Sequence, residues 1–579
     1  MTRSPGKSPR NPRTTAAAVA LATTTALVAG AAGTANAATA PAADDGTNGY
    51  KTVGYYPAWE AGNADGYQVA DLHTTGAADD LTHLNYAFGN VTTDLVCDIT
   101  DRVDPAENAP EGDPLNDYVQ LLDADKTVDG VADQPSQALA GNFNQLKKLK
   151  EEHPGLKVLV SLGGWTWSDN FSDAVSTPEN RARLVESCLD VYFHGNLPVV
   201  EDAENGTKGG DGVAAGIFDG IDLDWEWPGA TGEHPTPRPA EDAENFVQFA
   251  QLLRAELTEL GAETGEDYLI TGFAPASWAA RTNGGWLDPR FVDALDFINV
   301  QGYDYHGDWN TTRTGHQGNL HVYTDPTTGQ PANWGLAADG VLGAYHNAGW
   351  PKDKLVLGMA AYGYGWRGVT DPTPGAAANG SLPFTYYTDI KAKGLTEYYD
   401  EVAGQGYFYG DGEWWTADTP RSVTTKAEYL ATQGYGGGYF WDLAGDDDNE
   451  LLGTLAGTFE AATPGPLVPD DAAAPWYATG IYSTGDVVYH DGTEYRATWW
   501  TRDQQPGDAD GPWKAIGPAG TAPAGDRPAC AAPWDAARAY RTGEVVSRAG
   551  VNHTAQWWTR GTTPGTDATA AWDAGLPCA

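Results

Sequence analysis

The chain has 579 residues, more than one ordinary domain needs, and sets 34 Lys and Arg against 79 Asp and Glu for a net charge of −45. A surface that negative repels phosphate backbones and anionic lipid, so nucleic acid and membranes are disfavoured as partners and neutral substrates stay open. Four cysteines are too few for a disulfide scaffold, whereas 22 Trp and 28 Tyr supply flat amphipathic rings suited to sugar faces as well as to cores.

At the start, Arg3, Lys7, Arg10 and Arg13 precede an Ala/Val/Leu run over 16–32, and Ala35-Asn36-Ala37 has the small residues of a cleavage site. That is the layout of a secretory signal peptide over 1–37. The apolar run is short and diluted with Thr, against the ~20 residues a membrane span needs. The expectation is a secreted, extracellular protein whose mature chain begins near Ala38.

A long block follows, about 49–460. Short apolar runs recur through it: YKTVGYYPAW (50–59), LTHLNYAFG (81–89), LKVLVSLGGW (156–165), GIFDGIDLDWEW (216–227), YLITGFAPA (268–276), ALDFINVQGYDY (294–305), KLVLGMAAYGYGW (354–366) and GYGGGYFWD (434–442). Helical patterns lie between them, such as NFNQLKKLKEE (142–152) and AENFVQFAQLLRAELTEL (243–260). Eight buried strands alternating with helices predict an α/β fold, a (β/α)8 barrel with insertions. An open doubly wound sheet is the alternative, and the polar and aromatic residues that close nearly every strand argue against it.

The fourth run carries chemistry. In DGIDLDWEWP (219–228), Asp222, Asp224 and Glu226 alternate with Ile221, Leu223 and Trp225. Strand periodicity puts the three acids on one face, toward a barrel axis, and the apolar residues on the other. Neighbouring buried carboxylates cannot all ionise cheaply, so at least one keeps its proton, as a general acid must. A calcium loop would want Gly at the sixth place, where Trp227 stands, and oxygen-bearing residues between the acids. A solvated edge strand would lack the apolar flank.

DGIDLDWEWP resembles the DxxDxDxE signature of family 18 glycoside hydrolases. SLGGW (161–165) is similar to the SxGG motif of that family's third strand. QGYD (301–304) sits where many members have Met-x-Tyr-Asp, and GYFWD (438–442) resembles the eighth strand, so the four motifs fall in the family's order. The resemblance implies a chitinase whose reaction is assisted by the substrate's N-acetyl group. Glu226 would be the general acid, Asp224 would orient the acetamido group, and Asp222 would hold Asp224 and share its proton. Tyr303 would bond the acetamido carbonyl, with Asp304 close by on the sugar. Trp441 would stack beneath the ring, with Trp165 and Trp227 as further sugar contacts. Each of these Trp taken singly could instead be core packing. Gln301, in place of the usual Met, departs from the pattern and would line the site with added polarity. No protein nucleophile, cofactor or metal is called for. Residues about 367–430 resemble the small α+β insertion that deepens the groove in many bacterial members. An endo-N-acetylglucosaminidase of the same family and a catalytically dead chitin lectin are the other readings.

Two Pro/Ala/Gly-rich stretches, expected linkers at 461–473 and 518–529, set off two short blocks. APWYATGIYSTGDVVYHDGTEYRATWWTR (474–502) matches APWDAARAYRTGEVVSRAGVNHTAQWWTR (532–560) at a constant offset of 58 residues, which is a duplication. Modules over 474–517 and 530–578 are therefore expected, small and strand-rich. Each resembles carbohydrate-binding modules of families 5 and 12, with Trp499, Trp500, Trp557 and Trp558 as the implied platforms for polysaccharide. A Cys530–Cys578 bridge is plausible from position, and Cys97–Cys188 is left open. The partners expected are insoluble chitin and chitooligosaccharides, met by a monomer.

Overall fold

The computed structural model describes residues 47–63, 66–99 and 112–462, and shorter stretches between 481 and 577. The region expected to be a signal peptide, Cys530, Cys578, and the four paired Trp of the C-terminal blocks lie outside the described residues.

Eight strands close a parallel barrel: β1 (Lys51–Pro57), β2 (His83–Gly89), β3 (Lys157–Gly164), β4 (Gly220–Trp225), β5 (Leu269–Ala274), β6 (Ile298–Val300), β7 (Leu355–Ala360) and β8 (Gly437–Trp441). Each falls inside one of the eight apolar runs. β8 returns to pair with β1, Gly437 opposite Lys51, and closure removes the sheet edges. The outward residues Ile221, Leu223 and Trp225 join the layer between strands and helices, while Val53, Tyr55, Phe273, Val356 and Tyr439 pack inside the barrel. The expected helices run over Gly141–Glu152 and Asp242–Thr264, the second ending at Gly265 in the left-handed conformation.

Between β3 and β4 the chain adds a hairpin, Leu197–Asp202 with Gly206–Gly210. Cys97, in the loop after β2, is joined by a disulfide to Cys188 at the end of the helix Pro178–Cys188. The insertion is a five-stranded antiparallel sheet, and its position differs from the 367–430 expected. Its strands run from Tyr362–Arg367 to Glu413–Thr416, and the helix Pro420–Gln433 leads directly into β8. The run 354–366 therefore holds two strands. At Ala361 the chain leaves the barrel: its N–H donates to Trp441 O and its carbonyl accepts from Tyr387 N. Apolar periodicity does not see such a change of partner.

The C-terminal blocks repeat one strand plan. Ile481–Tyr482 pairs with Thr501–Arg502, and Val487–His490 with Thr493–Ala497; 58 residues later Ala539–Tyr540 pairs with Thr559–Arg560, and Val545–Arg548 with Val551–Thr554. Each has a small core of its own, Val488, Ala497 and Trp513 in the first, Val546, Ala555 and Trp572 in the second. Among the described residues no helix is long and apolar enough to cross a membrane.

Candidate active site

The acid row of β4 faces the barrel axis, and its three members meet three environments. Asp222 is fully buried. Its Oδ2 accepts from Tyr55 Oη of β1 at 2.9 Å and Ser161 Oγ of β3 at 2.8 Å. Its Oδ1 accepts from Thr271 Oγ1 of β5 at 2.5 Å and Asn299 Nδ2 of β6 at 3.2 Å. Burial pushes this carboxyl up and the four donors pull it back. A carboxylate with four donors has its lone pairs filled, which fastens Asp222 from four strands.

Asp224 is 3% exposed, and its Oδ1 has no hydrogen-bond partner among the described residues. Burial first, then Glu226 and Asp222, hold its carboxyl well above the usual range. Two glycines of SLGGW on the neighbouring β3 allow close packing beside this stretch of β4. Gly163 (φ 109°) passes so close that a Cβ there would sit 2.5 Å from Asp224 O, and Gly164 (φ 72°) lies against the Phe88 ring.

Glu226 lies at the mouth, half-buried. Burial and the nearby Asp304 push its carboxyl up to about 8. Its backbone N–H donates to Ser168 Oγ at 2.8 Å, and Ser168 in turn donates to Gly164 O, so the loop after β3 sets the position of the acid. Trp165, Asp169, Trp227, Glu233 and His234 line the same pocket. A group at this place stays protonated through neutral pH and is open to a substrate, which is what acid catalysis requires.

The other sequence-selected residues gather around this row. Tyr303 is buried and its hydroxyl accepts from Tyr439 at 3.2 Å. Asp304 has a left-handed φ of 60°, and its Oδ1 accepts from Tyr362 at 2.5 Å and Tyr364 at 2.9 Å. Trp441 is half-buried, stacked on Phe88 with ring centroids 5.5 Å apart and edge-on to Tyr55. Trp165 is 49% exposed, so the core-packing alternative fails for it. Trp227 is half-buried against Phe273. Gln301 accepts from Ala276 N through its side-chain oxygen, which ties the end of β6 to the loop after β5.

Sequence reasoning missed Tyr55, Thr271 and Asn299, each an inward polar side chain of a barrel strand. It also missed Ser168, Tyr362, Tyr364 and the aromatic flank of Trp441 made by Trp59 and Phe88. Asp442, next to Trp441, is buried with its carboxyl pushed up to about 7 by burial and by Glu60. Asp219, which opens the signature, serves the opposite end of the strand, accepting from Val158 N and pairing with Lys150.

The family model for glycosyl hydrolases family 18 matches residues 51–446, and that for carbohydrate-binding module family 5/12 matches 533–573. Chitinase C of Streptomyces lividans is 37% identical over 413 residues, 70% of this chain and 58% of the relative. Chitinase A1 of Niallia circulans is 32% identical over 481 residues, covering 77% and 63%. The chain thus spans less than two thirds of these curated relatives. Among solved structures, the catalytic domain of psychrophilic chitinase B from Arthrobacter TAD20 superposes with a TM-score of 0.68 at 40% identity, covering 73% of this chain and 98% of that one.

Proposed function

The chain belongs to glycosyl hydrolase family 18, and on that premise we propose that it is a secreted chitinase, cleaving β-1,4 linkages between N-acetylglucosamine units with retention at the anomeric carbon. The observation that carries this reading is the graded acid row. Asp222 is saturated with donors, Asp224 is buried with an open oxygen, and Glu226 holds a proton up to about 8 at a pocket flanked by Trp165 and Trp227.

In this mechanism Trp441 stacks under the sugar to be cleaved, and Tyr303 donates to its acetamido carbonyl. Asp224 Oδ1, without a protein partner, accepts from the acetamido N–H and turns the carbonyl oxygen toward the anomeric carbon. Glu226 gives its proton to the glycosidic oxygen as that bond breaks, and the carbonyl oxygen closes a ring onto the anomeric carbon. Water then opens the ring, returning a proton to Glu226, and two inversions leave the β anomer. Asp222 stays a fixed negative charge beneath the cation that develops.

The two C-terminal blocks act as chitin anchors in this reading, supported by the family match over 533–573 and by the repeated strand plan. Two linked weak sites raise avidity on a repetitive solid without new contacts. A release assay on colloidal chitin beside an N-glycosylated protein tests the whole. Soluble chitooligosaccharides from chitin are expected. Release from the glycoprotein alone would mean an endo-N-acetylglucosaminidase, and chitin binding without release from either would mean a lectin.

A further inference from the structure

The carboxyl beside the acid is held from outside the barrel. Asp304 follows β6 with a left-handed backbone, and both hydroxyls bonded to its Oδ1 come from one strand of the inserted sheet, Tyr362–Arg367. Tyr362 and Tyr364 are two residues apart, so a strand aims both at the same point. Their rings are held in turn. Phe384 stacks on Tyr362 with centroids 4.6 Å apart, and Trp309 meets Tyr364 edge-on at 5.4 Å. Phe384 and Trp309 are 45% and 53% exposed, so they also form the outer cover of this corner.

We propose that Tyr362 and Tyr364 are positioning residues for the acid step: they pin the Asp304 carboxylate beside Glu226, making the insertion part of the catalytic centre as well as a wall of the groove. The proposal rests on the reading of Glu226 as the general acid. Burial raises both phenols far above their ordinary range, so they remain donors throughout the working pH. Burial pushes the Asp304 carboxyl up and the two phenols pull it back toward its charged form, and a charged neighbour keeps the Glu226 proton on. Glu226 also faces Asp222 and Asp224 from its own strand and Asp169, Glu233 and His234 from the rim loops. Asp304 faces Asp308 besides the two phenols. None of those groups is bonded to Asp304 as the phenols are, so the phenols are the handle by which its charge can be released.

The test uses the full chain with Tyr362→Phe, Tyr364→Phe and the double change, which keep the rings and remove only the hydroxyls. kcat/KM on a soluble chitin oligomer is followed against pH. Without donors Asp304 takes up a proton at higher pH, its charge leaves Glu226, and the basic limb moves toward acid. A shift of about half a unit for each single change and about one unit for the double is expected. In an Asp304→Asn background the same changes should move the limb no further, as a cycle through one shared residue requires. An unmoved limb in the double variant, or an equal shift in the Asp304→Asn background, overturns the proposal. Glu226 can also be titrated without turnover, by the carboxylic-acid infrared band that Glu226→Gln removes. That band should fade at lower pH in the double variant than in the wild type. Should the wild type leave the oligomer uncut, the chitinase reading fails while this band still decides the clamp.

Discussion

At the inner end of β4, Asp222 accepts four hydrogen bonds from four other strands, and at the mouth, Glu226 has a backbone tie to Ser168 and an acid, Asp304, as its charged neighbour. The two carboxyls lie four residues apart, one within β4 and one just past its end. Donors offset part of the burial of the first and fasten it from four strands; their scarcity and a like charge make the second a reservoir for a proton. Asp224 between them has acids on both sides and an oxygen without a partner. The difference shows that the alternation of acids sets the stage, while neighbouring strands assign the parts.

The largest effect should come from the mouth. Glu226→Gln keeps shape and removes the proton, and turnover should fall by about a thousandfold or more with binding retained. Single-turnover and binding measurements on a chitin oligomer check this, and wild-type turnover would erase the contrast between the two ends. Asp224→Asn should follow, with a loss of about a hundredfold or more read in kcat rather than KM, because the amide keeps an accepting oxygen but cannot take up or release a proton.

Changes at the inner end should cost more in stability than in chemistry. Thr271→Val leaves an acceptor of Asp222 unmet in a fully buried place, about 1–3 kcal/mol of unfolding free energy by denaturant titration. Turnover should fall far less than in Glu226→Gln. Were the two losses equal, Asp222 would belong to the chemistry and not to its support.

The two ends should also separate by pH. Glu226 titrates near 8 in the folded chain against an ordinary carboxylate value unfolded. Between those values the folded state holds a proton the unfolded state has lost, so this group makes stability fall as pH rises. Glu226→Gln should therefore unfold at a higher temperature than wild type above pH 8, with the gain fading below about pH 4.5. A constant difference across that window would mean Glu226 is not the proton reservoir. The smallest effect on the site should come from ending the chain near residue 460. Rates on soluble oligomers should be unchanged, while pull-down on insoluble chitin should drop clearly, and Trp499, Trp500, Trp557 and Trp558 changed together to Ala should reproduce that drop.

The barrel was legible because each strand is a short apolar run, and the acid row because period-two alternation of Asp and Glu in such a run has few structural explanations. What holds the row was not. Tyr55, Ser161, Thr271 and Asn299 come from four strands spread over nearly 250 residues of sequence, and only closure of the barrel brings them to one carboxylate. Ser161 belongs to the SLGGW motif, yet its bond to Asp222 is not legible in that motif. Their shared signal is faint but real: a polar side chain at an inward position of a buried strand. The insertion was expected as a groove wall beginning after Trp366, whereas Tyr362 and Tyr364 already belong to it and reach Asp304, since the change of sheet at Ala361 leaves no mark in hydropathy.

Proton NMR of a soluble chitin oligomer in the first minutes of cleavage, before mutarotation, tests the central claim most directly. Attack by the acetamido oxygen, prepared by Asp224 and driven by the Glu226 proton, predicts that the new reducing ends appear as the β anomer. New ends appearing first as the α anomer would show a single displacement by water, and would contradict it.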